Sequence, residues 1–150
     1  MNMDWSEKRR IACEAGLDDC ELLALPNEYL DQICNGIGAE WMGEKLRNAL
    51  SKLHPSLVIV ADLHDLRWFL GKGTQEDFLD SNSKFASNGV KIAKYFYGWY
   101  NPRRYIVMMD AKRYAGYLNL GGKVAYYAAI TQRENFEKET GVNLGMMIKK

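Results

Sequence analysis

No run of apolar residues approaches the roughly 20 needed to cross a bilayer. The first ten residues, with Asp4, Glu7, Arg9 and Arg10 among them, lack the basic-then-apolar layout of a secretory leader. The first absence excludes a spanning helix, and the second makes a cytoplasmic chain the expectation. Cysteine is scarce: Cys13, Cys20 and Cys34 are too few, and odd in number, for a disulfide framework. All three are expected to be reduced. The i, i+7 spacing of Cys13 and Cys20 fits one face of a helix, where they would serve as small buried hydrophobes rather than metal ligands. Convincing strand alternation, internal repeats and low-complexity tracts are also missing. A chain of 150 residues therefore reads as one all-helical domain with one core, residues 1–150.

Net charge is small, +1, but unevenly spread. Residues 1–50 hold ten acids against five bases, whereas residues 84–113 hold seven bases against the single acid Asp110. The middle of the chain is thus locally basic. It also contains the densest aromatic stretch, Tyr95-Phe96-Tyr97-Gly98-Trp99-Tyr100, flanked by Lys91, Lys94, Arg103 and Arg104. Three readings of that stretch stand side by side. It could seat the protein on an anionic membrane or a protein partner, or stack on nucleic-acid bases, the least favoured of these. It could equally be a helix end whose aromatics fill the core.

Spacing organises the rest. Residues 4–24 read as two short helices broken near Gly16 and Leu17-Asp18-Asp19, and Pro26-Asn27 starts another segment. The run Cys34-Asn35-Gly36-Ile37-Gly38 favours a loop, and Trp41 to Leu53 is amphipathic up to His54-Pro55. Leu57, Val60, Ala61, His64 and Trp68 recur at threes and fours, which predicts a helix over about 56–70 with His64 facing inward. Gly71-Lys72-Gly73 turns the chain, and Thr74 with Asp77 resembles a capping box. The next stripe is Phe78, Asn82, Phe85, Gly89, Ile92 and Phe96. The short connection predicts an antiparallel αα-hairpin in which His64 meets Asn82 across an apolar seam. Asn101-Pro102 opens a further helix to Gly121-Gly122, and a last segment starts at Lys123. Met108-Met109 and Met146-Met147 read as core filler or a frayed tail.

Asp65 lies about 100° further round its helix than His64, so it can point to a different neighbour such as a cation held by a loop. Carbonyls of a glycine-containing loop plus one carboxylate are hard-oxygen ligands of the calcium type. At this point the residues resemble the phospholipase A2 superfamily. Cys34-Asn35-Gly36-Ile37-Gly38 is similar to its calcium loop, His64-Asp65-Leu66-Arg67-Trp68 to its histidine helix, and Asn82-Ser83-Lys84-Phe85 to the second-helix motif of compact bacterial and viral members. The likeness covers about residues 34–90. A looser likeness to prophage-associated proteins runs on to Gly122.

The resemblance implies an antiparallel helical hairpin core with flanking helices, and calcium-dependent hydrolysis of glycerophospholipid esters. His64 would be the general base, Asn82 the residue that orients it, and Trp68 would stand where the family has a tyrosine. Asp65 and the backbone carbonyls of Cys34, Gly36 and Gly38 would hold the ion. Three departures accompany it. Asn82 replaces an acid, an exchange that lowers turnover about 10⁴-fold at the equivalent position of a serine protease. Ala39 replaces a glycine and the bracing disulfides are missing. Trp68 offers an indole N–H in place of a phenol. The alternative reading is a catalytically degenerate interaction module that keeps the hairpin and binds through its basic aromatic face.

Overall fold

The computed structural model describes residues 3–34 and 56–145, and among them the chain is all-helical, with no strand. The elements in order are α1 (Trp5–Ala15), a 3-10 turn (Cys20–Ala24), α2 (Asn27–Gln32), α3 (Leu57–Phe69), α4 (Gln75–Phe96), α5 (Pro102–Gly121) and α6 (Lys123–Thr140). None of these helices is long and apolar enough to cross a membrane. The amphipathic segment 41–53 and Met146-Met147 lie outside the described residues.

Helix ends follow from local chemistry. The Asp4 carboxylate accepts from the Glu7 N–H at 2.8 Å and starts α1. Gly16, at φ 70°, ends it in the left-handed conformation that a residue without Cβ adopts at little cost. Asp19 also has a positive φ, 63°, so the chain turns sharply twice between α1 and the 3-10 turn. This separates Cys13 from Cys20, contrary to the shared helix face that their spacing suggested. Cys13 is exposed on α1 and Cys20 is half-buried in the 3-10 turn. The two remain neighbours, and burial first, then Cys13, pushes the Cys20 thiol up.

Gly73, at φ 78°, closes the α3–α4 turn. Thr74 Oγ1 accepts from the Asp77 N–H at 3.0 Å, the forward half of a capping box. The Asp77 carboxylate does not return to Thr74. Its Oδ2 instead accepts from the Lys72 N–H at 3.0 Å and from the Tyr126 hydroxyl at 2.5 Å, while Arg67 reaches its Oδ1 at 2.7 Å. The hairpin turn is thereby tied to α6. Burial, with Asp77 next, pushes the Tyr126 phenol up to about 12, so it stays a donor at neutral pH. Asn101 caps α5 by accepting from the Arg103 N–H at 3.0 Å, and Pro102 occupies the first helical position, where no N–H is needed.

Helix α3 is the axis of the structure. All of its residues except Val58, Asp65 and Arg67 are buried, even Asp62, which pairs with Lys8 of α1 at 2.8 Å. It packs on α4 and α6 and on the N-terminal segment, within one hydrophobic cluster that runs from Trp5 to Leu144. Helix α4 also packs on α5, and the two helices approach closely at Gly89, where a Cβ would stand 2.1 Å from the Ala111 Cβ. The inward stripe of α4 ends at Ile92 and Ala93; Phe96, the last residue of the stripe read from spacing, is exposed.

Candidate functional site

The buried seam between α3 and α4 brings together the two polar residues that the stripes select. His64 Nε2 lies 2.8 Å from Asn82 Oδ1. Both residues are buried, and the Asn82 amide nitrogen donates to Asn119 Oδ1 on α5 at 2.9 Å. With Nδ2 donating to Asn119, Oδ1 faces the imidazole, and this arrangement assigns the proton to Nε2 as the donor. The other ring nitrogen, Nδ1, is left with the lone pair. Trp68 lies over the ring at 4.4 Å between centroids and Phe85 meets it edge-on at 5.4 Å.

Burial among these groups lowers the His64 pKa to about 4; the Asn82 hydrogen bond opposes the shift and Arg67 adds to it. The imidazole is therefore neutral across the physiological range, always available as a base but a weak one. Trp68 spends its indole N–H on Ser81 Oγ at 2.9 Å, and Ser81 in turn donates to the Phe78 carbonyl at 2.7 Å. Within the site Trp68 is thus a wall beside the histidine rather than a second donor to Asn82.

Of the metal ligands expected, Gly36 and Gly38 lie outside the described residues, as does Ala39. Asp65 is half-buried, and Arg67, two residues on, projects from the opposite flank of α3, about 160° round the axis. Cys34 is buried, with its Sγ 3.8 Å from the Asp62 carbonyl, so this residue sits beside the α3 turn before His64 and Asp65. Among the described residues no three His, Cys, Asp or Glu side chains converge on a common metal position.

On the Arg67 flank the surface closes. Arg67 meets Asp77 at 2.7 Å, Asp80 at 3.1 Å and Asp19 at 3.4 Å, and Lys84 meets Asp19 and Asp80 at 3.5 and 3.4 Å. Asn88, buried in α4, accepts from the Asp18 N–H at 2.6 Å and donates to the Asp18 carbonyl at 3.1 Å. Under this roof lies a cleft with room for about one water, about 10 Å³, lined by His64, Ser81, Lys84 and Asn88 among others. It is too small for a lipid and lies away from Asp65. Both acids that might replace the missing carboxylate, Asp77 and Asp80, are held by Arg67. Sequence reasoning missed Asn119 and Asn88. Each is a polar residue on an otherwise unremarked helix position, and only its distant partner gives it a role.

No protein-family model, curated protein or solved structure matches the chain.

Proposed function

We propose that the chain is a phospholipase A2-like helical domain that hydrolyses glycerophospholipid esters, with His64 as general base. The observation that carries this reading is the 2.8 Å contact of His64 Nε2 with Asn82 Oδ1 across antiparallel helices, which leaves Nδ1 as the proton acceptor. In this chemistry Nδ1 takes a proton from a water as the water oxygen attacks the ester carbonyl. The same proton then passes to the departing alkoxide, giving a free fatty acid and a lysophospholipid. Asn82 keeps the imidazole in the required tautomer and orientation. Trp68 and Phe85 keep bulk water from the ring.

A calcium ion would be held by Asp65 and by the carbonyls of Cys34, Gly36 and Gly38, and when bound it supplies positive charge for the developing oxyanion. Oxygen donors of this kind suit calcium, and the reading is supported by the Cys34 thiol lying 3.8 Å from the Asp62 carbonyl, one turn before Asp65.

One observation favours a second reading, a hydrolytically silent member of the same fold acting as an interaction module. Asn82 is neutral, so only an amide dipole offsets the burial that disfavours a charged His64 and lowers its pKa to about 4. The deciding measurement is fatty-acid release from phosphatidylcholine vesicles, with calcium and with chelator, for the native protein, His64→Ala and Asn82→Asp. Hydrolysis predicts calcium-dependent release that His64→Ala removes and that Asn82→Asp raises at least tenfold. Equal release by the native protein and His64→Ala ends the enzymatic reading. Release by none of the three supports the silent module.

A further inference from the structure

A surface helix normally turns a polar face to water. Helix α5 does not: its inner face buries Val107, Ala111, Ala115 and Leu118, yet its outer face carries Tyr105, Ile106, Met109, Tyr117 and Leu120, all exposed. At about 100° per residue these five side chains spread over about 120° of the helix surface, an arc that also contains Gly116 and the exposed Arg113. The patch extends at one end through Trp99 and Tyr100, 75% and 76% exposed, and at the other through Val124, 80% exposed. Leu120, at 89%, is the most exposed of the large apolar side chains among the described residues. Single exposed hydrophobics need no explanation, but a contiguous set of this kind marks a surface that meets something.

The charges around the patch identify what it meets. Lys94, Arg103, Lys112, Arg113 and Lys123 are exposed on the segments that carry it, and Asp110, 3.6 Å from Arg113, is the only acid between Lys94 and Lys123. Lys84 and Lys91, by contrast, are occupied with Asp18, Asp19 and Asp80 and belong to the fold. A second copy of the chain is a poor occupant. Face-to-face pairing sets cations against cations, and every exposed large hydrophobic among the described residues falls from Leu79 to Tyr127, so residues 3–34 offer no apolar counterpart. Nucleic acid would satisfy the cations and the aromatics but has no use for Ile106, Met109, Leu120 and Val124. An anionic lipid surface matches all three: phosphate for the cations on and beside the patch, acyl chains for the aliphatics, and the boundary between them for Trp99, Tyr100, Tyr105 and Tyr117.

We propose that the outer face of α5, together with the Trp99-Tyr100 turn, docks the protein in plane on an anionic membrane surface. The docking does not depend on turnover at His64. It is measured with His64→Ala, so that a failure of hydrolysis and a failure of docking are separate results. The probes are vesicles of phosphatidylcholine alone and of phosphatidylcholine mixed with phosphatidylglycerol, read by co-sedimentation and by the blue shift of indole fluorescence. Binding is expected on the mixed vesicles, and Trp99→Phe should remove part of the shift. Each of Arg103→Gln and Lys112→Gln should weaken binding roughly fivefold, with salt weakening it further, and Leu120→Glu combined with Val124→Glu should abolish it. All of these positions are exposed, and circular dichroism confirms the fold of each variant. Absence of binding to mixed vesicles overturns the proposal, as does binding that survives the Leu120 and Val124 changes. So does a dimer that those changes dissolve, or salt-sensitive binding to RNA or DNA in place of vesicles.

Discussion

Asn119 reaches from the exposed side of α5 to hold the amide nitrogen of the buried Asn82, 2.9 Å away. The orientation of the His64 imidazole therefore depends on a third helix that neither hairpin helix contains. Asn119→Ala leaves a buried amide donor without its partner, a change that costs about 1–3 kcal/mol, and it frees Asn82 to rotate. A lowered thermal midpoint and loss of a single defined His64 tautomer in nitrogen NMR are the expected outcomes. An unchanged tautomer in a destabilised protein would mean that the helices alone orient the ring.

The depressed pKa of His64 has a consequence for stability. The unfolded histidine titrates near 6.5 and the folded one at about 4, so between these values the unfolded chain binds the proton that the folded one refuses. The contribution is fully present above about pH 6.5, declines as pH falls toward 4, and is flat below that. The loss amounts to about 3 kcal/mol over the window. Asp18 and Asp77, both held below the usual carboxylate range in the folded state, add their losses only at lower pH. Urea unfolding from pH 7 to pH 4 should show the decline in the native protein, and His64→Gln should flatten it.

Gly89→Ala is expected to destabilise although alanine is the better helix former by about 1 kcal/mol. The new methyl would stand 2.1 Å from the Ala111 Cβ, so α4 and α5 must part, at a cost of about 1–3 kcal/mol for an overpacked site. Adding Ala111→Gly should restore much of the loss, and a double-mutant cycle by chemical denaturation measures that coupling.

Much of this was legible in the residues, for identifiable reasons. Thr74, Asn101-Pro102 and Gly71 fix helix ends through bonds within a few residues of themselves, and Gly73 through its own positive φ, so spacing alone finds them. The meeting of His64 and Asn82 was legible because two stripes joined by a short turn leave little choice of register. Asn119, Asn88 and the Asp18-Asp19 turn were not, because their partners lie 37 to 70 residues away or more and polar residues carry no periodic signal. Cys13 and Cys20 misled because two left-handed residues between them break the helix that their spacing assumed. For the Tyr95–Tyr100 stretch the core-filling reading gave way to exposure: α4 leaves the core after Ala93, and Trp99 and Tyr100 face solvent. Met109, read as core filler, lies on the outer face of α5. Periodicity could not have told which side of α5 is covered, since both sides are apolar.

The near-complete enclosure of α3 also sets a clock. A helix with neighbours on almost every side has few local openings available, so its amide hydrogens should exchange only when the whole helical assembly opens. Solvent that reaches the imidazole from the Arg67 flank must displace the three carboxylates that Arg67 gathers. Amides near the α4–α5 loop should exchange in the first minutes, whereas those of residues 60–68 persist until global unfolding.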